Sequence, residues 1–219
     1  RTFDWDNNLL WDFCYNTPEH RPHHDIEPLP NGNVLMITWE YMSAEDAIAA
    51  GRDPANIDTA DENSVWPLQI IEVQPDGADG VIVWEWHLAD HLIQDFDSTK
   101  ANYGVVADNP GKMDFNYVRD NRGDWIHANS IDYNSELDQI LVSSPFLSEV
   151  WIINHAITSQ EAAGSLGDIM YRWGNPIVYD RGTAADRRLF FNHDARWVTA
   201  GYPGEGNITI FNNGQGRTP

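Results

Sequence analysis

Residues 189–213 read LFFNHDARWVTAGYPGEGNITIFNN: a histidine opens an extended stretch, Pro203-Gly204-Glu205-Gly206 turns the chain, and NITIFNN returns it. Two earlier stretches repeat that plan with signatures of their own. HHDIEPLPNGNVLMI (23–37) carries His24 ahead of the turn Pro30-Asn31-Gly32-Asn33, and DWIHANSIDYNSELDQILVSS (124–144) carries His127 ahead of Asn134-Ser135-Glu136. A recurring supersecondary unit that offers one imidazole per copy matters, because stacking such units around an axis would bring His24, His127 and His193 to a common centre.

Working outward, the remaining runs are also short, β-branched or aromatic: LLWDF (9–13), LQIIEV (68–73), VIVWEW (81–86), EVWIIN (149–154) and IMYRW (169–173). Each unit then holds a strand, the histidine signature, a tight hairpin and an outer strand. Four antiparallel strands per unit make the blade of a β-propeller, so the expected class is all-β. The units present amount to about three to four blades, against about 4 to 8 in a closed propeller. An open fan would leave sheet edges unpaired, so residues 1–219 are expected to be one domain cut from a longer chain, completed by its other blades. The start at Arg1-Thr-Phe-Asp and the stop at Arg217-Thr-Pro, just after a strand, agree with that expectation. Insertions interrupt the repeat at about 41–64 and 87–124; in the first, SAEDAIAAG (43–51) predicts a short helix with a Ser N-cap, and Ser159 to Gly164 predicts a helical turn.

Composition limits the partners. Thirteen Lys and Arg face 34 Asp and Glu, a net charge of −21, which argues against nucleic acid or an anionic membrane surface. An anionic ligand would need a local cationic pocket. Ten Trp and eight Tyr in a chain that is 42% hydrophobic exclude a disordered acidic tail. Cys14 is the sole cysteine, so no intrachain disulfide and no cysteine-based zinc site can form. No apolar run approaches the roughly 20 residues of a membrane span, and no signal peptide opens the sequence.

The phrases HHDIEPLPNGNVLM, DWIHANSIDYN, ILVSS followed by SEVWIINH, YRWGNP, and LFFNHDARW with GNITIFNNG together resemble the arylsulfate sulfotransferase family, from about Trp11 to Arg217. The resemblance implies a six-bladed propeller, periplasmic or extracellular, that moves a sulfuryl group from an aryl sulfate to a phenol with no cofactor. On matching positions it implies that His193 is the histidine that becomes sulfated, that His127 and Asn129 bind the sulfuryl oxygens, and that His24 is a further channel histidine. It also implies an arginine just after ILVSS, where this chain reads Ser144-Pro145-Phe146. Proline cannot give the paired, charge-assisted hydrogen bonds of a guanidinium, so Arg172, Arg196 or a residue outside this stretch would have to supply them.

Imidazole suits this chemistry because it is a neutral nucleophile near pH 7 and its N-sulfo adduct is a good donor to the next phenol. Bland readings stand beside it. A histidine near a turn commonly packs or caps; His23 alternates with His24 and reads as structural, His155 ends an outer strand, and His20, His87 and His91 fall in loop or insertion sequence as solvated side chains. Asp25 and Asp194, each directly after its histidine, should face the other way on an extended strand and could tie neighbouring blades. Trp66, Trp125 and Trp197 could stack on an aromatic substrate, though filling space between blades is their commoner role. The rivals are a propeller kept as a binding or assembly module, alone or as a homo-oligomer, and a hydrolase with a metal on three imidazoles. No HxH or HExxH spacing supports the metal, and the acidic runs Asp95-Phe96-Asp97 and Asp58 to Glu62 lack calcium-loop spacing.

Overall fold

The computed structural model describes residues 1–57, 63–118 and 122–217. In chain order the strands are β1 (Thr2–Phe3), β2 (Leu9–Trp11), β3 (His20–Pro28), β4 (Val34–Glu40), β5 (Met42–Ser43), β6 (Ser64–Val65), β7 (Leu68–Asp76) and β8 (Asp79–His87). They continue as β9 (Leu92–Ile93), β10 (Met113–Asp114), β11 (Ser130–Asn134), β12 (Gln139–Ser144), β13 (Glu149–Asn154), β14 (Tyr171–Trp173), β15 (Asn192–Trp197) and β16 (Ile208–Asn212). The helices α1 (Ala44–Ala49) and α2 (Ser159–Ala162) are short. Among the described residues no helix is long and apolar enough to cross a membrane.

Two four-stranded antiparallel sheets, β3-β4-β7-β8 and β11-β12-β13-β14, form the body, and β15-β16 is a hairpin of the same hand-to-hand pattern. The three turns read from the sequence join β3 to β4, β11 to β12 and β15 to β16. What the strands bury explains their composition. In β4, Leu35 and Ile37 enter the core shared with the second sheet, where Ile140, Val142, Trp151 and Ile153 meet them, while Val34 and Met36 pack on the other face with Trp11, Ile71 and Val73. In β12 the alternation repeats: Ile140 and Val142 face the first sheet, and Leu141 joins Val150, Leu189 and Ala195 against the β15-β16 hairpin. Inner strands buried on both faces therefore read as unbroken apolar runs, and the sheets stack face to face. Fully burying one such aliphatic side chain contributes about 1.5–3 kcal/mol before the chain entropy that opposes folding.

Stacking sets β3, β11 and β15, the first strand of each unit, side by side. Polar ties hold that alignment. Asp25 Oδ2 accepts from the Ile131 amide (3.1 Å), Asp132 Oδ2 from the Trp197 amide (2.6 Å), and Ser130 Oγ from the Ala195 amide (3.0 Å). From the outer strand β8, Trp84 Nε1 donates to the Ile157 carbonyl (2.8 Å) and Trp86 Nε1 to that of Gly167 (2.7 Å), both in the connection between β13 and β14.

The insertions close on each other. Ser43 caps α1 by accepting from the Asp46 amide, as expected, and Asn116 from the second insertion accepts from the Asp53 amide (2.8 Å) and donates to the Gly51 carbonyl (2.9 Å). Gly51 has φ +86 and a Cβ there would lie 2.7 Å from the Gln94 side chain, so this crossing requires glycine. The acidic run Asp58 to Glu62 lies outside the described residues.

Several histidines differ from the solvated picture. His91 is fully buried, stacked on Trp86 (5.1 Å) with Nδ1 2.9 Å from Asp168; His87 closes β8 with Nδ1 2.9 Å from Glu40. Carboxylates distant in sequence, Asp168 and Glu40, hold both rings in place, which a local reading of loop sequence cannot anticipate. His155 bridges the two sheets, Nε2 on Glu72 (2.9 Å) and Nδ1 on Asp138 (2.6 Å).

Candidate functional site

Backbone geometry singles out the histidine segments. His24 (φ +54), His127 (φ +51), and Phe191 (φ +59) with Asp194 (φ +50) on either side of His193 all adopt the left-handed region. For residues with a Cβ this costs about 1–2 kcal/mol each and persists where surrounding contacts enforce it, as happens at functional sites. Pairing registers shift at the same places, between Pro22 and Ile26 of β3 and between His193 and Arg196 of β15. A bulge re-aims side chains and cancels simple alternation. That is why His23 does not face away from His24: their Nδ1 atoms are 2.8 Å apart and their rings meet edge to face.

From that pair a chain of rings runs across all three units. The His24 and His127 centroids are 4.5 Å apart at 78°, His127 stacks on Phe146 (4.6 Å, 19°), Phe146 meets Phe191 (5.9 Å), and Phe191 meets His193 (5.5 Å). His127 is oriented by Asp124, whose Oδ2 takes a short hydrogen bond from Nδ1 and whose Oδ1 accepts from the His127 amide (3.0 Å). Trp39 Nε1 holds the same carboxylate (3.1 Å), and the Trp39 ring stacks under His23 (4.3 Å). The second insertion thus delivers Asp124 to a dyad whose free nitrogen is His127 Nε2.

Electrostatics keep part of the cluster uncharged. Burial pushes His23 down to about 3, with the neighbouring imidazoles of His24 and His127 adding to the effect and Asp124 opposing it. His24 is lowered first by burial and then by His127, against Asp124, with His193 lowering it further. His193 Nδ1 lies 3.3 Å from the Phe191 carbonyl and 3.1 Å from the Asn213 side-chain amide.

The remaining residues expected at the site fall in different places. Asn129 sits between the His127 and His193 segments, its amide nitrogen donating to the Asn192 carbonyl (2.9 Å), while its Oδ1 is buried without a hydrogen-bond partner. The structure does not bring Arg172 to the imidazoles: on β14, the far strand of its sheet, it pairs with buried Glu149 (2.6 Å) and donates to the Lys112 carbonyl (2.9 Å). Arg196 lies closer, yet its guanidinium is held by Asp25 (2.7 Å), Asp194 (3.0 Å), Glu27 (3.5 Å) and the Ile131 carbonyl (2.6 Å). Asp25 makes the cross-sheet tie expected of it, whereas exposed Asp194 only braces Arg196. Trp125 is fully buried in the main core.

The sequence profile of the family described as Arylsulfotransferase (ASST) matches residues 12–219. The chain belongs to this family. A search of curated proteins finds no match to it. Membership suggests aryl sulfuryl transfer as the chemistry against which the site is read.

Asp124, Phe146 and Phe191, to which the sequence reading gave no role, also belong to this cluster, as does His23, which it read as structural. The His23-His24 doublet and the Asp-x-x-His spacing of Asp124 and His127 were visible signals. Phe146 and Phe191 carried none, since only the stacking of two units brings them together. Among the described residues, no group of three His, Cys, Asp and Glu side chains converges as metal ligands.

Proposed function

We propose that this chain moves a sulfuryl group from an aryl sulfate ester to a phenolic acceptor through a sulfo-histidine at His193. The sheets are read as consecutive blades of a six-bladed propeller that works in the periplasm or outside the cell. The supporting observation is the approach of His24 and His127 to 4.5 Å from separate units, with Phe146 and Phe191 carrying the contact on to His193.

In this reading His193 attacks sulfur through Nε2, which requires its proton on Nδ1, facing the Phe191 carbonyl, with the Asn213 side chain turning its oxygen to that nitrogen. The N–S bond forms as the S–O bond to the aryl group breaks, and the phenolate takes the Nε2 proton of His127, which enters the step as an imidazolium whose Nδ1–H stays on Asp124. The acceptor phenol then returns a proton to that nitrogen while its oxygen attacks sulfur and the N–S bond breaks. Asp124 fixes the His127 tautomer so that Nε2 is the atom that exchanges protons. Neutral His24 and the Asn129 segment line the nonbridging oxygens. Charge in such transfers rests on peripheral oxygens, so placement of these donors carries most of the rate.

The test is sulfuryl transfer from 4-nitrophenyl sulfate to phenol by the full-length protein, with His193→Asn as the variant. Nitrophenol release that needs acceptor, fails in the variant, and leaves an SO₃ adduct on the peptide containing His193 is the expected result. No release by the wild type would leave a binding module. Activity that survives His193→Asn but not a chelator would indicate a metal hydrolase.

A further inference from the structure

Five side chains at the imidazole cluster close into a circuit. Asp124 Oδ2 meets His127 Nδ1, His127 meets His24 edge to face (4.5 Å), His24 Nδ1 lies 2.8 Å from His23 Nδ1, and His23 lies flat on Trp39 (4.3 Å, 18°). Trp39 Nε1 then donates to Asp124 Oδ1 (3.1 Å), 85 positions along the chain, and completes the loop. The indole does not titrate, yet it touches both ends of the series: the carboxylate through its edge and His23 through its face. Its own place is firm, because β4 is an inner strand in which Trp39 pairs with Arg21 of β3 and Leu68 of β7.

The two contacts act differently. A carboxylate can swing about its last bond, and the Asp-x-x-His turn by itself gives Asp124 Oδ1 one donor, the His127 amide (3.0 Å). The indole N–H is a second donor on that oxygen, brought from the neighbouring unit, so Oδ2 is left for His127 Nδ1. An indole has one N–H and no acceptor, so this edge of Trp39 has a single use. The face serves His23. Burial is the first cause that holds this imidazole below its usual pKa, and the indole forms one wall of that burial. A ring pressed flat against another turns little, so His23 Nδ1 stays at His24 Nδ1, where one nitrogen donates and the other accepts.

We propose that Trp39 is a positioning residue that sets two imidazoles at once, His127 through Asp124 and His24 through His23. What those imidazoles then do rests on the transferase reading, but their placement is tested without substrate. Two variants of the full-length protein divide the roles. Trp39→Phe keeps an aromatic face under His23 and removes the N–H; Trp39→Gln keeps a donor and removes the face. Proton and nitrogen NMR of the imidazoles is expected to show the His127 Nδ1–H resonance displaced in Trp39→Phe with the His23 and His24 signals in place, and the converse in Trp39→Gln. In transfer from 4-nitrophenyl sulfate to phenol, Trp39→Phe should lower kcat by about tenfold, the scale of one hydrogen bond to a charged group, with KM little changed. Added to Asp124→Asn it should cost much less, since both changes act through one carboxylate.

A wild-type His127 resonance in Trp39→Phe would overturn the proposal, as would equal displacement of all three histidines in both variants, which is the mark of packing alone. Should Trp39→Gln not fold, Trp39→Phe decides, because its expected effect is confined to His127. The two readings fail separately. Displaced resonances in a protein that transfers nothing keep the positioning and remove the transferase; an unmoved resonance with full transfer does the reverse.

Discussion

Arg196 Nη2 lies 2.7 Å from Asp25 Oδ2 across 171 positions of sequence, and the same guanidinium donates to the Ile131 carbonyl, so one side chain clasps all three inner strands. Around it, burial and the charge of Asp132 push Glu27 up to about 7, with Arg196 pulling it back, and burial likewise raises Asp132. Replacing Arg196 by Gln leaves these carboxylates facing one another. The loss should be about 1–3 kcal/mol in urea unfolding. A carboxyl whose folded pKa is raised contributes stability below its unfolded value and loses it as pH rises, so the variant should be hurt more at pH 8 than at pH 5.

Asp124→Asn keeps the volume but removes the charge that directs the His127 proton. A fall in kcat of about 10²-fold is expected, the scale of a general acid or base, with little change in KM. Thermal unfolding should show a fold that persists. A variant with wild-type kcat would remove Asp124 from the positioning of His127.

His23 offers a test of sign. Native His23 stays neutral down to about pH 3, whereas an unfolded imidazole takes its proton near 6.5, so across that window the unfolded state binds more protons. Its contribution to stability is present above 6.5 and lost as pH falls, by up to about 1.4 kcal/mol per unit. Glu27 and Asp114, raised to about 7 and about 6, titrate in the opposite sense. The measurement is therefore the difference in unfolding free energy between wild type and His23→Gln, which should grow with pH from about 3 to about 6.5; a flat difference contradicts the buried neutral ring.

Gly174 supports the site from below. It has φ +128, and a Cβ there would stand 2.5 Å from the Ser148 carbonyl and 2.8 Å from Leu189. Gly174→Ala should cost about 1–3 kcal/mol and loosen the turn whose Ser148 hydroxyl holds Arg187. Unfolding midpoints that match wild type would show that this approach is not tight.

Much of this was readable from residues 23–37, 124–144 and 189–213, because turn chemistry and apolar runs are local properties. Their hairpins form where proline, glycine and asparagine place them, and the short α1 starts at Ser43. The histidine stretches proved to be strands themselves in β3 and β15, with His24 and His193 inside them; only His127 precedes its strand, β11. Alternation misplaced His23 because a bulge adds a residue to one strand of a pair, and that event depends on the partner strand. The expected arginines show the same limit. Arg172 and Arg196 are close to site phrases in sequence, but carboxylates hold both guanidinium groups, buried Glu149 on the neighbouring strand for Arg172 and half-buried Asp25 on β3 for Arg196.

By itself the sequence determined the all-β class, the hairpin boundaries, the three histidine signatures and the family, since each is written in stretches of a few residues. Only the tertiary structure decided that His24 meets His127, that His23 is pressed neutral against Trp39, and that Arg122 and Arg187 flank Pro145. These are meetings between segments apart in the sequence, fixed by how apolar faces stack and by which charges that stacking leaves without water, and no local pattern encodes such a distance.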